Sequence, residues 1–317
     1  MKRVHISDSM NNKIKQSLKD YPREMSGYGK DSMHPKWPNQ AKIAVQFVLN
    51  YEEGGENSIL HGDEASETFL SEIIGAKAYV GERHMSMESI YEYGSRAGVW
   101  RILRLFKEFD IPITIFAVGL AIARNRELAD YLVEYDYDIC AHGFRWIDYQ
   151  FVEEKVEREH IKDCITILTE CLGKRPEGWY TGRNSPNTRK LIIEEGGFLY
   201  DSDAYDDDLP YWANKFDTDK KHLVIPYTLD ANDMRFASPQ GFNSGDQFFN
   251  YLKDSFDALY KEGETSPKMM SVGMHCRILG RPGRIMAMRR FLEYIKTFDN
   301  VWLCTRREIA DHWYKNF

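Results

Sequence analysis

A chain of 317 residues with 14% aromatic side chains can bury one large α/β core or two smaller ones, and no linker, repeat or low-complexity run divides it. The formal charge of -7 argues against the basic stripes that bind nucleic acid or anionic membrane surfaces. Five cysteines (Cys140, Cys164, Cys171, Cys276, Cys304), odd in number and without CxxC spacing, suggest neither a disulfide framework nor a zinc knuckle.

The chain opens with MKRVHISDSMNNKIKQSLKD, which has basic residues but no apolar stretch after them, so it does not read as a secretory signal. Residues up to about 38 are expected to form an extension wrapping the main body. AKIAVQFVL (41–49) is a continuous apolar, β-branched run, as expected of a strand covered on both faces. After a polar stretch, GVWRILRLFKEF (98–109) has helical spacing, and ITIFAV (113–118) reads as a strand. The longest apolar run, 111–123, is shorter than the roughly 18 residues a membrane helix needs. Helices are then predicted over 128–135, 151–172, 187–195, 246–260 and 285–297. Strands are predicted over 138–141, 178–181, 223–226, 269–274 and 301–304. This alternation predicts a distorted (β/α) barrel of about seven strands, with 1–317 as a single catalytic domain. A cytoplasmic location is expected.

In such barrels chemistry collects where strands end. LNYEEGGE, AHGFRWIDY, YTGRNSPNT and MHCR all follow predicted strands, so Glu52, Glu53, His142, Arg183 and His275 would share one mouth. Each has a plainer reading alone: the glutamates as a solvated turn, each histidine as a core residue bonded to backbone, Arg183 as a surface ion pair. Their joint placement at successive strand exits favours a site. His61, Asp63 and His84 could line it or be solvated loop residues, and Asp206 to Asp208 read as a charged loop before a cation site. Cys276 beside His275 would point to the opposite face of a strand, so the two do not form a nucleophile pair.

The order YEEG, HGFRW, GRNSP, YDSDAYDDDLPYW and MHC resembles the polysaccharide deacetylase family. The longer strings QFVLNYEEGGENSILHGDEASE, MESIYEYGSRAGVWRILRLF, HGFRWIDY and PYTLDANDMRF resemble its cofactor-independent allantoinase branch. The resemblance places Glu52 at the catalytic base, Glu53 and His142 at two metal ligands, His275 at the acid that protonates the leaving group, and Arg183 at the arginine that orients the base. Trp146 stands where a second metal histidine belongs. A catalytic zinc usually has three protein ligands, and an indole cannot ligate one.

The expectation is therefore hydrolysis of (S)-allantoin to allantoate with no metal or other cofactor. Glu52, His275 and Arg183 would be catalytic, with the charge of Glu53 raising Glu52 toward a useful base. Glu53, His142, Trp146, Asp230, Asn232, Asp233 and Arg235 would hold substrate. Allantoin would be the small-molecule partner, with no nucleic acid or membrane, in a homotetramer suggested by the resemblance. The alternatives are a metal-dependent N-deacetylase of peptidoglycan or chitin fragments, disfavoured by Trp146 and the absent export signal, and a non-catalytic carbohydrate-binding relative.

Overall fold

The computed structural model describes residues 12–19, 21–214 and 218–317. The reading of the N-terminus as no secretory signal falls largely on residues 1–11 and 20, outside those described. Among the described residues, nine strands form one sheet: β1 (Ile43–Tyr51), β2 (Thr114–Ala117), β3 (Asp138–Ala141), β4 (Gly178–Trp179), β5 (Tyr200–Asp201), β6 (Tyr211–Trp212), β7 (Leu223–Val224), β8 (Lys268–His275) and β9 (Val301–Leu303). Their order is β6-β7-β5-β4-β3-β2-β1-β8, with β9 also beside β1, and every pairing is parallel except β6 with β7. The sheet curls into an incomplete barrel of the expected class. The two strands beyond the expected seven, β5 and β6, are two residues each and lie in the acidic stretch YDSDAYDDDLPYW, which shows no apolar run.

β1 is the axis of the sheet. All nine of its residues are buried, and it pairs with β8 over 43–50, with β2 over 48–51 and with β9 over 43–45. Helices such as Glu154–Leu172, Gly245–Glu262 and Pro282–Ile295 cover the sheet with their apolar residues. Local chemistry sets their ends. Ser244 Oγ accepts from Gln247 N–H, Pro282 begins the helix that the apolar spacing alone placed three residues later, and Gly173 ends another at φ 73°. Part of the expected extension lies against the body, where Trp37 packs on Trp302 and Trp313 and donates to the Lys268 carbonyl.

The barrel does not close by strand pairing between β8 and β7; a single bridge, Asn232 to Gly273, crosses near the mouth. Below it lies a cleft of about 360 Å³ lined by Asp206 to Asp208, Thr228, Asp230 and Met269 to Ser271. Arg306 ties this seam together from inside. Its fully buried guanidinium donates to Gln46 on β1, Ser271 on β8, Ser202 after β5, and the carbonyls of Ile225 and Pro226 after β7. A buried cation held only by neutral acceptors leaves five groups orphaned when removed. Arg306→Met should therefore lower the unfolding free energy by about 3 kcal/mol or more, as read from urea denaturation.

Candidate active site

Parallel register brings the site together. Tyr51 pairs with Ala117 and Ala117 with Ala141, so the next residues on β1 and β3, Glu52 and His142, leave the sheet at the same level. Asn50 pairs with His275, which puts that histidine at the end of β8 beside the same rim. Glu52, Glu53, His142 and His275 are each less than 5% exposed.

Glu52 is the hub. Its Oε1 is 3.2 Å from His142 Nε2 and 3.5 Å from His275 Nε2, and its Oε2 is 2.8 Å from Arg277 Nη2. The arginine contact is an ion pair off the hydrogen-bonding direction, so Glu52 Oε2 and Arg277 Nη2 both lack an aligned partner. His142 Nδ1 lies 3.2 Å from the Tyr180 carbonyl, which can only accept, so Nδ1 donates there. His275 Nδ1 donates to Asp233 Oδ1 at 2.6 Å, while Asp233 Oδ2 accepts from the backbone N–H groups of His275 and Leu279. The ring of His275 is thus fixed with Nε2 toward Glu52. Phe116 and Tyr180 pack on His142, and Tyr227 packs on both of those rings.

Charge in this dry site is split unequally. Burial pushes the Glu52 carboxyl up, but Arg277 and the two imidazoles outweigh it and hold it well below the usual carboxylate range. Burial pushes Glu53 up, helped by the charge of Glu52 and only partly offset by Arg277. The expected direction is therefore reversed: Glu53 does not raise Glu52, because Arg277 lies closer to Glu52 (2.8 Å) than to Glu53 Oε1 (3.4 Å). Burial lowers His275, yet the anions Glu52 and Asp233 raise it to about 9, so it is an imidazolium at neutral pH. Cys276 is buried, donates to the Asn50 carbonyl and has its thiol pushed up, all features of an inert thiol.

Arg183 is a correction. It does not orient Glu52: its guanidinium donates to the Trp146 carbonyl at 2.6 Å, stacks 4.0 Å from the Trp146 ring and lies 3.7 Å from Glu67. The arginine at the base is Arg277, two residues after His275. It lies on the short helix Cys276–Leu279, past the end of β8, so strand alternation from His275 gives no sign of it. Of the four residues in LDANDMR, only Asp233 touches the cluster, and it does so through His275. Asn232 caps the short helix Asp233–Ala237 and bonds the Thr228 carbonyl. Asp230 lines the side cleft, bonded to Thr228 and Tyr251, and Arg235 lies over Phe242. Those two do not share the Glu52 site, because the chain turns outward before and after the buried pair.

Residues 55–84, with little regular structure, lie over the mouth and are gripped by arginines from the body. Arg145 pairs with Asp63, Arg183 with Glu67 and Arg284 with Glu72, and Arg277 Nε donates to the Leu70 carbonyl at 2.8 Å. His61 and Asp63 belong to this strap, with His61 between Arg124 and Arg145.

The residues at the family's metal positions do not fit a divalent ion. Glu53 Oε2 accepts the backbone N–H of Glu52 at 3.1 Å, and its Oε1 accepts the backbone N–H of Arg277 at 3.2 Å beside the guanidinium. Trp146 offers no lone pair, and its ring stacks on Phe69 with Arg277 5.1 Å away. Both carboxylates already face a cation.

Comparison with known proteins agrees with this architecture. Residues 83–195 match the polysaccharide deacetylase family pattern. A putative polysaccharide deacetylase of Schizosaccharomyces pombe is 44% identical over 309 residues, covering 92% of this chain and 96% of its own. The chain belongs to the polysaccharide deacetylase family. Within it, the structure of PuuE allantoinase is 61% identical with a TM-score of 0.92, covering 94% of this chain and 98% of that one. A probable polysaccharide deacetylase of Pseudomonas aeruginosa is similar at 59% identity and a TM-score of 0.91, over 93% of this chain and 99% of that one. Family membership makes the chain a hydrolase of the deacetylase superfamily. Among the described residues, no helix is long and apolar enough to cross a membrane.

The raised His275 sets a pH test. Its charge adds stability that is complete below pH about 6.5 and is lost as pH rises through about 9. If the imidazolium is the working acid, kcat/KM should fall on the alkaline side near pH 9. Asp233→Asn, which removes one of the two anions facing the ring, should move that limb to lower pH. A limb unmoved in the variant would separate His275 from proton transfer.

Proposed function

We propose that the protein hydrolyses the hydantoin ring of allantoin to give allantoate. The observation that carries this reading is the pairing, around one carboxylate oxygen, of an ionised Glu52 with an imidazolium His275, in a site whose metal positions are engaged by Arg277. Glu52 takes a proton from water as it attacks the ring carbonyl; being fully ionised at neutral pH offsets its weakness as a base. His275 gives its Nε2 proton to the leaving ring nitrogen, and Asp233 stabilises its charge beforehand. His142, fixed by the Tyr180 carbonyl, lies where water or a substrate oxygen would be held.

The substrate class follows from what the site supplies. An unactivated acetamide has a poor amine leaving group and needs strong polarisation of its carbonyl, help that a Lewis acid gives at several kcal/mol. A hydantoin ring is easier. Its leaving nitrogen is part of a urea-like group that carries negative charge, so acid/base catalysis with hydrogen bonding can suffice. The 61% identity to a protein named an allantoinase supports the same choice. A second reading, N-deacetylation of cell-wall sugars, draws on the name of a Helicobacter pylori peptidoglycan deacetylase, 26% identical over 259 residues, covering 70% of this chain and 86% of its own. The engagement of Glu53 by Arg277 and the indole at position 146 weigh against it. A homotetramer in the cytoplasm belongs to the proposal and is tested by sedimentation and cell fractionation.

Purified protein given allantoin should produce allantoate, and given N-acetylglucosamine oligomers should release little acetate. Glu52→Gln and His275→Ala should each lower turnover by about 10²-fold or more while the protein still folds, with melting lowered because buried charges lose a partner. Acetate release faster than ring opening would replace this reading with the second.

A further inference from the structure

We infer that Arg277 is the site's built-in cation, a positioning residue that pairs with Glu52 and aims it in place of a divalent ion; this rests on the reading of Glu52 as the base. The guanidinium has no exposed surface and is held on every side. Nε donates to the Leu70 carbonyl at 2.8 Å, Nη1 lies 3.4 Å from Glu53 Oε1 and Nη2 lies 2.8 Å from Glu52 Oε2. Its plane is packed by the rings of Tyr91 at 4.1 Å and Trp146 at 5.1 Å. Its own backbone N–H also donates to Glu53. Few arginines have so little freedom.

Two consequences follow for the reaction. Adjacent buried carboxylates without a cation would share a proton, and the base would be neutral half the time or more. With Arg277 present, one positive charge faces both, and the closer carboxylate, Glu52, stays ionised. The second consequence is orientation. Because Arg277 takes Oε2, the other oxygen, Oε1, is the one turned to both His142 and His275. The planar fork matters here, since it reaches both carboxylates while stacking between rings, and an ammonium would reach one.

The fold is built to admit this group. The helix Met85–Tyr93 runs through a π-turn (Gly94–Gly98) into Val99–Phe109, and a Cβ at Gly94 would run into Glu53 Oε1, while one at Gly98 would run into the Cys276 carbonyl. The two glycines let the helix press on the Glu53–Arg277 pair from above. π-turns of this kind recur at functional sites.

Chemical rescue tests the inference. Arg277→Ala should lose about 10²-fold or more in kcat with KM changed only a few-fold. Guanidinium chloride in the tens of millimolar should restore about tenfold of that loss and raise the variant's melting temperature, relative to sodium chloride at equal concentration; the wild type should gain neither. Arg277→Lys should fold and lose about tenfold in kcat, because one carboxylate goes unbridged. Guanidinium acting no better than sodium on both kcat and melting, or a folded Arg277→Lys with wild-type kcat, overturns the inference. Should Arg277→Ala not fold in either salt, the lysine variant decides. If the wild type leaves allantoin intact, the proposed function fails instead, and the melting measurements still test the cation site.

Discussion

Two adjacent carboxylates in a pocket sealed from water form the constraint on which the rest of the structure depends. Glu52 and Glu53 end a strand that is buried along its whole length, so neither can be solvated where it stands. Burying such a pair is expensive unless opposite charge comes with it. The chain supplies that charge from the end of β8, where Arg277 follows His275, and it holds both with bonds from distant segments. Asp233 grips His275, Leu70 grips Arg277, and Gly94 and Gly98 clear the space. Removing any of these parts changes where the charge resides.

The consequence for chemistry is a division of protonation states set by geometry. Glu52 is held low and Glu53 high, although they are neighbours in sequence, because a guanidinium lies nearer one than the other. His275 is held as a cation by two anions. An ionised carboxylate and an imidazolium kept apart at about hydrogen-bonding distance form an acid/base couple before any substrate arrives. Under the proposed function this preorganisation does the work that a Lewis acid does for harder amides, which is why the reading selects an activated ring over an acetylated sugar.

Much of this was legible in the sequence, and the reasons are specific. The buried run at 41–49 and the alternation after it gave the parallel sheet, and strand exits gave Glu52, His142 and His275, since parallel register forces exits to one rim. β5 and β6 escaped because they sit at the two ends of the acidic YDSDAYDDDLPYW, whereas β4 and β7, equally short, lie in the less polar GWYT and LVIP. Arg183 was assigned to Glu52 by its place in a motif, but strand-exit loops can turn either way, and this one turns toward Trp146 and the strap. Asp230 and Arg235 were grouped with Asp233 by adjacency alone, whereas the short helix that starts at Asp233 buries one carboxylate and leaves its neighbours outside. The partners of Arg277 lie more than 200 residues away, so no local pattern could name them. Tyr91 likewise reads as an ordinary apolar position on a helix.

The central claim is that the chain's own charges, with Arg277 as the fixed cation, suffice for ring opening. The most direct measurement is the kcat of the wild-type protein for allantoin after exhaustive chelation, with bound metals counted by mass spectrometry on the same sample. The account predicts an unchanged kcat at a small fraction of one metal per chain. Activity abolished by the chelator and restored by stoichiometric zinc would contradict it.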